Sequence, residues 1–216
     1  MLNDDVLLFS VLSNNYPNWC PVNKTMEFIA EKIFEKINFT LNPFLKGEYE
    51  MCSFRNCDFS NCDLSGTKFI ECRFSDCNFS NVKTSDTILR DAAFDNCKMI
   101  GVMFNACSSF GFGASFNDCN LSHSSFFQKK IKGTIFKNNK LHEVDFTECD
   151  LTGSVFENCD FQDANFEKTI LEKADLRTSF NFFINPEINR IKKAKFSLSG
   201  ISGLLYQYDI EIDRHS

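Results

Sequence analysis

Apolar residues return at every fifth position along most of this chain, a spacing that fits neither helix nor strand. From Phe39 the recurring positions read Phe39, Phe44, Tyr49, Phe54, Phe59, Leu64, Phe69, Phe74, Phe79, Thr84, Leu89, Phe94, Met99 and Phe104, with Thr84 the one polar member. A second run, Phe116, Leu121, Phe126, Ile131, Phe136, Leu141, Phe146, Leu151, Phe156, Phe161, Phe166, Leu171 and Leu176, is apolar throughout. A 3.6-residue helix and a two-residue strand both carry a five-residue repeat off any single face. The chain must therefore turn a corner at every repeat, and that period decides the architecture before local propensities are weighed. Between Phe104 and Phe116 the spacing is 12 where two repeats need 10, so two extra residues sit in a register break at 105–115. There Gly111, Gly113 and Ala114 flank Phe112, which suits a bulge or small loop at a corner.

Eleven cysteines would ordinarily suggest disulfides or zinc. Nine of them, Cys52, Cys57, Cys62, Cys72, Cys77, Cys97, Cys119, Cys149 and Cys159, fall two residues before a recurring apolar position. The same slot otherwise holds Ala92, Ala114, Ala164, Ala174, Thr67, Val82 and similar residues, so it asks for a small side chain. Free cysteine meets that need as a small buried hydrophobe. A five-residue spacing puts successive thiols on different walls, where they do not converge on one zinc ion. Stacked thiols such as Cys57 and Cys77 lie one coil apart, but their parallel side-chain vectors suit a disulfide poorly. So many unpaired thiols point to a reducing cytoplasm.

Quintets such as Cys57-Asp58-Phe59-Ser60-Asn61 and Cys62-Asp63-Leu64-Ser65-Gly66 resemble the pentapeptide-repeat family from about Phe39 to Leu176. The resemblance implies an all-β fold, a right-handed quadrilateral β-helix with four quintets per square coil. The central residue and the small residue two before it would then both point inward. About seven coils at the parallel-strand spacing make a rod of about 30–35 Å. Residues twenty apart stack, giving ladders such as Phe54, Phe74, Phe94 and Phe126, Phe146, Phe166.

The ends of such a rod expose rings and backbone unless covered. Residues 26–38 keep the apolar beat at Ile29 and Phe34 but lose the small slot to Glu27 and Lys32, and read as an N-terminal cap, helical or irregular. Residues 1–25 carry no quintets and read as an extension, with Met26 an alternative start. In 177–216 the quintets stop, and Leu198, Ile201, Leu204, Leu205 and Tyr208 recur at helical spacing with Ser197 or Ser199 available as N-cap. Tyr208, Ile210 and Ile212 then alternate as a short strand does. This stretch looks like the C-terminal module of Qnr and MfpA-type quinolone-resistance proteins. That likeness implies a short C-terminal helix cap carrying a homodimer contact through those five apolar residues.

Net charge is −6, and its placement matters more than its sum. From Leu141 to Leu176 run Glu143, Asp145, Glu148, Asp150, Glu157, Asp160, Asp163, Glu167, Glu172 and Asp175 against only Lys168 and Lys173. Lys129, Lys130, Lys132, Lys137 and Lys140 precede them, and Lys129 falls in an inward slot. With the interior apolar, the acids must lie on the outer walls, and Glu143 to Glu167 are the candidate partner-binding residues. Stacked carboxylates offer regularly spaced negative charge, as a duplex does with its phosphates. The resemblance implies a DNA-mimicking partner of a type II topoisomerase such as gyrase or topoisomerase IV, with an effect on quinolone sensitivity. The chain lacks the two sizeable projecting loops of Qnr proteins from Gram-negative bacteria. An adaptor for some unrelated protein partner is the alternative reading.

His123, His142 and His215 are scattered, and no Gly-rich phosphate loop or G-x-S-x-G elbow occurs. A convex rod offers outward acids no cleft to shift their pKa values. The expectation is a non-enzymatic, cytoplasmic protein without cofactor or metal. The short lysine cluster beside an acidic stretch argues against direct nucleic-acid binding, and no apolar run reaches membrane-spanning length.

Overall fold

The computed structural model describes residues 26–213, so the 1–25 extension and its Cys20 lie outside the described residues. The five-residue beat is a chain turning through a square coil, one quintet per wall. On one wall, strands β1 (Glu27–Ala30), β3 (Gly47–Glu50), β5 (Lys68–Ile70) and β7 (Ile88–Arg90) form a parallel sheet in the order β1-β3-β5-β7. On the adjoining wall, β2 (Ile33–Glu35), β4 (Ser53–Arg55), β6 (Arg73–Ser75), β8 (Ala92–Asp95), β9 (Ala114–Asn117), β10 (Ile135–Lys137) and β11 (Val155–Glu157) form a seven-stranded parallel sheet. Isolated parallel bridges such as Asp58↔Asn78 and Asp145↔Asn165 tie the other two walls. The result is a parallel β-solenoid whose first and last described coils lie at opposite ends.

Twenty-residue registry puts central residues over one another. Phe34, Phe54, Phe74, Phe94, Phe116, Phe136 and Phe156 form one stack, with ring centroids 4.7–5.5 Å apart and planes within 12°. The longest step, 5.5 Å between Phe94 and Phe116, spans the break, where the pairing distance becomes 22 residues and then returns to 20. Phe104, Phe126, Phe146 and Phe166 stack likewise. Rings on different walls meet edge to face, the arrangement their quadrupoles favour. Thr84 interrupts its ladder, donating from Oγ1 to the Met103 carbonyl at 2.7 Å beside a void of about 20 Å³.

Most corners close with one residue at positive φ, two places after the central one. Asn56, Asn61, Gly66, Glu71, Asp76, Asn81, Asp86, Asp91, Asn96 and Gly101 all share it. Asn, Asp and Gly tolerate this left-handed conformation best, which accounts for their frequency there.

Two boundaries differ from the sequence reading. Residues 26–38 are a first coil, not a cap: β1 pairs Ile29 with Tyr49, and β2 pairs Phe34 with Phe54. At the end of the rod the inward slot opens to solvent, so the long polar Glu27 and Lys32 fit where deeper coils require small residues. Gly47 sits beneath, where a Cβ would stand 2.6 Å from the Glu27 carbonyl oxygen. At the other end the coiling continues past Leu176. Ile170↔Arg190 and Asp175↔Lys195 bridges hold a further turn, whose inward slots take Asn189 and Ala194 before Ile191 and Phe196.

Candidate partner-binding surface

Each outward carboxylate owes its direction to its place in the quintet. Residues just before a central position form Asx turns, in which Oδ1 accepts the backbone N–H two residues on. Asp145 accepts from Thr147 at 3.0 Å, Asp150 from Thr152 at 3.1 Å, and Asp160 from Gln162 at 3.3 Å. Asp58, Asp63, Asn78 and Asn120 do the same. The sequence reading missed this bracing role, although its signal is visible in pairs such as Asp58 with Ser60 and Asn78 with Ser80. Asp145, Asp150 and Asp160 thus hold the backbone with one oxygen and present the other outward.

The square coil divides the eight candidate acids into two sets, because successive quintets lie on successive walls. Glu143 and Asp163 share one corner, and Asp145, Glu148 and Glu167 follow on the next wall and its far corner. The Glu143 N–H donates to the Gln162 carbonyl and the Glu148 N–H to the Glu167 carbonyl, at 2.9 and 2.8 Å. Among the described residues, none of these five carboxylates pairs with lysine or arginine. His123 lies 3.3 Å from Glu143, Gln128 donates to Glu148 at 2.8 Å, and Ser125 donates to Asp145 at 3.3 Å. Lys168 stands at the corner below Glu148.

The other three acids face elsewhere, each beside a basic group: Asp150 by Lys132 at 3.1 Å, Glu157 by Lys137 at 3.3 Å, and Asp160 by His142 at 2.7 Å. Burial works to raise Asp150 and Asp160, but the Thr152 and Lys132 bonds hold the first, and the His142 and Asn181 bonds the second, below the usual carboxylate range. The lysine cluster is dispersed in the same way. Lys130 lies beside Asp150 and Lys140 beside Asp160 in the backbone ladder, while Lys132 and Lys137 carry the ion pairs.

Lys129 and the register break are one feature. In the inward column its side chain lies directly below Cys107, in the space left where residues 108–113 swing out as a loop. Its ammonium donates to the Cys107 carbonyl, lies 3.4 Å from Ser109 Oγ and rests 5.2 Å from the centre of the Phe112 ring. Lys129 is only 2% exposed, and burial pushes it below the usual lysine range. At the loop tip Phe110 is 76% exposed, with the Arg90 guanidinium 5.9 Å from its ring centre. Changing Lys129 to Met is expected to keep the solenoid folded while releasing the loop. Chymotrypsin should then cut after Phe110 several-fold faster, with the melting temperature shifted by only a few degrees; an unchanged cutting rate counts against the tether.

At the C-terminal end the helix is shorter than the spacing suggests: α1 spans Ser202–Leu205 and runs into a 3-10 turn, Tyr206–Tyr208. Its N-cap is Ile201, without a side-chain bond; the Ser197 hydroxyl instead accepts the Gly200 N–H. Gly203 lies so close to Phe182 that a Cβ would stand 2.2 Å from its carbonyl oxygen. No strand forms at 208–212, since Asp209 turns left-handed (φ 50°) and no sheet edge lies alongside. Leu204 packs on the core and Leu205 is half-buried, whereas Leu198, Ile201 and Tyr208 are exposed, Leu198 at 89%. Phe183 and Tyr206 meet edge to face beside them at 5.3 Å.

Among the described residues no three His, Cys, Asp or Glu side chains converge as a metal site, and no helix is long and apolar enough to cross a membrane. The family model described as pentapeptide repeat region matches residues 48–109 and 112–176, interrupted at the tip of the loop that Lys129 holds. No curated protein matches the chain. Among solved structures, full-length QnrB1, a plasmid-mediated fluoroquinolone resistance protein, is 22% identical over 85% of this chain and 100% of its own, with a TM-score of 0.45. HetL, a pentapeptide repeat protein involved in heterocyst differentiation regulation from the cyanobacterium Nostoc sp. strain PCC 7120, is 14% identical over 90% of this chain and 94% of its own, with a TM-score of 0.41.

Proposed function

This chain belongs to the pentapeptide-repeat family, and on that premise we propose that it is a non-enzymatic binding protein, a homodimeric rod that engages a type II topoisomerase in place of DNA. The observation that carries this reading is the wall and corners bearing Glu143, Asp145, Glu148, Asp163 and Glu167, none of which has a lysine or arginine partner among the described residues. Those five charges fall within two coils, about 10 Å of rod at the parallel-strand spacing. With Lys168 at the same corner, that is a net charge of about one per 2.5 Å, against one per ~1.7 Å for a duplex. Carboxylates fixed by rigid corners present this charge without the ordering cost that flexible side chains incur.

Dimerisation is read from the apolar end. Leu198, Ile201 and Tyr208 stand exposed beside Phe183 and Tyr206 on the outer side of the turn that Leu204 anchors. Changing Leu198 and Ile201 to Glu is expected to convert a dimer to a monomer in light scattering without lowering thermal stability. An unchanged mass removes this surface from the interface.

The test of function is to incubate the purified full chain with gyrase and a quinolone and to score supercoiling and cleaved complex. Protection from the drug, or inhibition of supercoiling, is the expected result; the absence of both effects defeats the reading. An adaptor for an unrelated partner is the second reading, favoured by the pairing of Asp150, Glu157 and Asp160, which confines free charge to two coils. A pull-down that captures a different protein and no topoisomerase subunit selects it.

A further inference from the structure

Six buried cysteines stand in two columns. Cys57, Cys77, Cys97 and Cys119 fill the inward slot of one wall in successive coils, and Cys52 and Cys72 that of its neighbour. In the long column each Sγ meets the same two carbonyls, one from the coil before and one two residues back. Cys77 reaches Phe54 at 3.5 Å and Ser75 at 3.3 Å; Cys97 reaches Phe74 at 3.5 Å and Asp95 at 3.4 Å. Cys57 and Cys119 repeat the pattern. Equivalent surroundings set equivalent rotamers, so the sulfurs recur at the strand spacing, about 4.8 Å.

That spacing excludes some chemistry and fits other chemistry. A disulfide needs sulfurs about 2.05 Å apart, far closer than parallel neighbours on rigid coils can come. Zinc asks for four tetrahedral ligands, which a single column of parallel side chains does not supply. An ion that takes two thiolates in line, with metal–sulfur bonds of about 2.3 Å, spans about 4.6 Å and fits between two rungs. The side chains point across the rod while the sulfur-to-sulfur axis runs along it, so each bond to such an ion leaves sulfur near its usual bent angle. An open groove of about 390 Å³ runs along the outer face of this wall, beside Cys57 and Cys77, whose thiols face the core. Asp58 and Asp76 on its walls form no ion pair among the described residues, and Lys98 is its one cation.

We propose that the stacked pairs Cys57–Cys77, Cys97–Cys119 and Cys52–Cys72 are linear two-coordinate sites for a soft divalent ion of the mercuric kind, one ion per pair. Binding breaks two S–H bonds, forms two metal–sulfur bonds and releases two protons, with no change of oxidation state. The divalent charge matters, because two thiolates and one such ion leave the core neutral, whereas silver(I) or copper(I) would bury a net negative charge. A bound ion also pins two coils together.

The test loads the full chain with mercuric chloride, then dialyses against a monothiol that strips singly held mercury. One retained ion per pair, and a melting temperature raised by several degrees, are expected. The double variant Cys57→Ala, Cys77→Ala should retain one ion fewer; Ala92, Ala114 and Ala174 fill the equivalent slot, so it should fold, and the serine pair repeats the test if it does not. Cys149→Ala, Cys159→Ala should retain as much as the parent, since these cysteines stack on Lys129, Thr169, Asn139 and Ser179. No retained ion, an equal loss in the Cys149 and Cys159 variant, or a lowered melting temperature overturns the proposal.

Discussion

Replacing Phe116 by alanine is expected to destabilise the solenoid by about 3–5 kcal/mol, the range for removing a fully buried ring. Phe116 is 0% exposed and lies inside the seven-ring stack, 5.5 Å from Phe94 and 5.2 Å from Phe136. It also meets Phe104 and Phe126 edge to face at 5.4 and 6.0 Å. Coils pinned by continuous backbone ladders cannot collapse into the hole, which places the cost toward the upper end. For a chain of this length that corresponds to a fall of roughly 6–20 °C in melting temperature. Chemical denaturation of the variant checks it. A cost below about 1 kcal/mol means that the coils repack independently of the stack.

Neutralising the acidic wall is expected to have the largest effect on function. With Asp145→Asn, Glu148→Gln, Asp163→Asn and Glu167→Gln together, affinity for the proposed topoisomerase partner should fall at least tenfold, about 1.4 kcal/mol or more. Each exposed charge contributes only a few tenths to about 1 kcal/mol, so the four are changed together. Asn at 145 keeps the oxygen that accepts the Thr147 N–H, which leaves the backbone brace intact. Glu157→Gln, whose carboxylate already meets Lys137 on another wall, should change affinity less than twofold. Raising salt from 50 to 200 mM should weaken the parent more than the variant, since screening acts on the charges that remain. Equal losses in the two proteins would locate binding elsewhere.

The interior was legible in the sequence because packing leaves little choice there. A ring every fifth residue and a cysteine or alanine two places earlier are demands of a narrow square core, and they name the inward residues one by one. The register break was equally plain, since two extra residues upset the count. What the break does was not readable: Lys129 reaches Cys107 from 22 positions away, and only the coil brings them together. The N-terminal coil was misread because the small-residue rule relaxes where the slot opens to water, and Glu27 and Lys32 broke the rule without breaking the fold. The candidate surface was half readable. Which acids are outward follows from the quintet, but which of them share a wall depends on four quintets making one turn. The Asx turns add a constraint invisible in composition, since Asp145, Asp150 and Asp160 serve the backbone as well as any partner.

The loop at 108–113 shows where this architecture tolerates novelty. Coils resume their twenty-residue pairing immediately after it, so nothing downstream registers that two residues were added. A peptide spliced between Phe110 and Gly111 would be displayed at a fixed height on the rod, with Lys129 clamping its base. Lengthening the chain anywhere within a wall would instead displace every ring that follows. The molecule thus has a built-in graft point, and new binding specificity can be acquired there without rewriting the core.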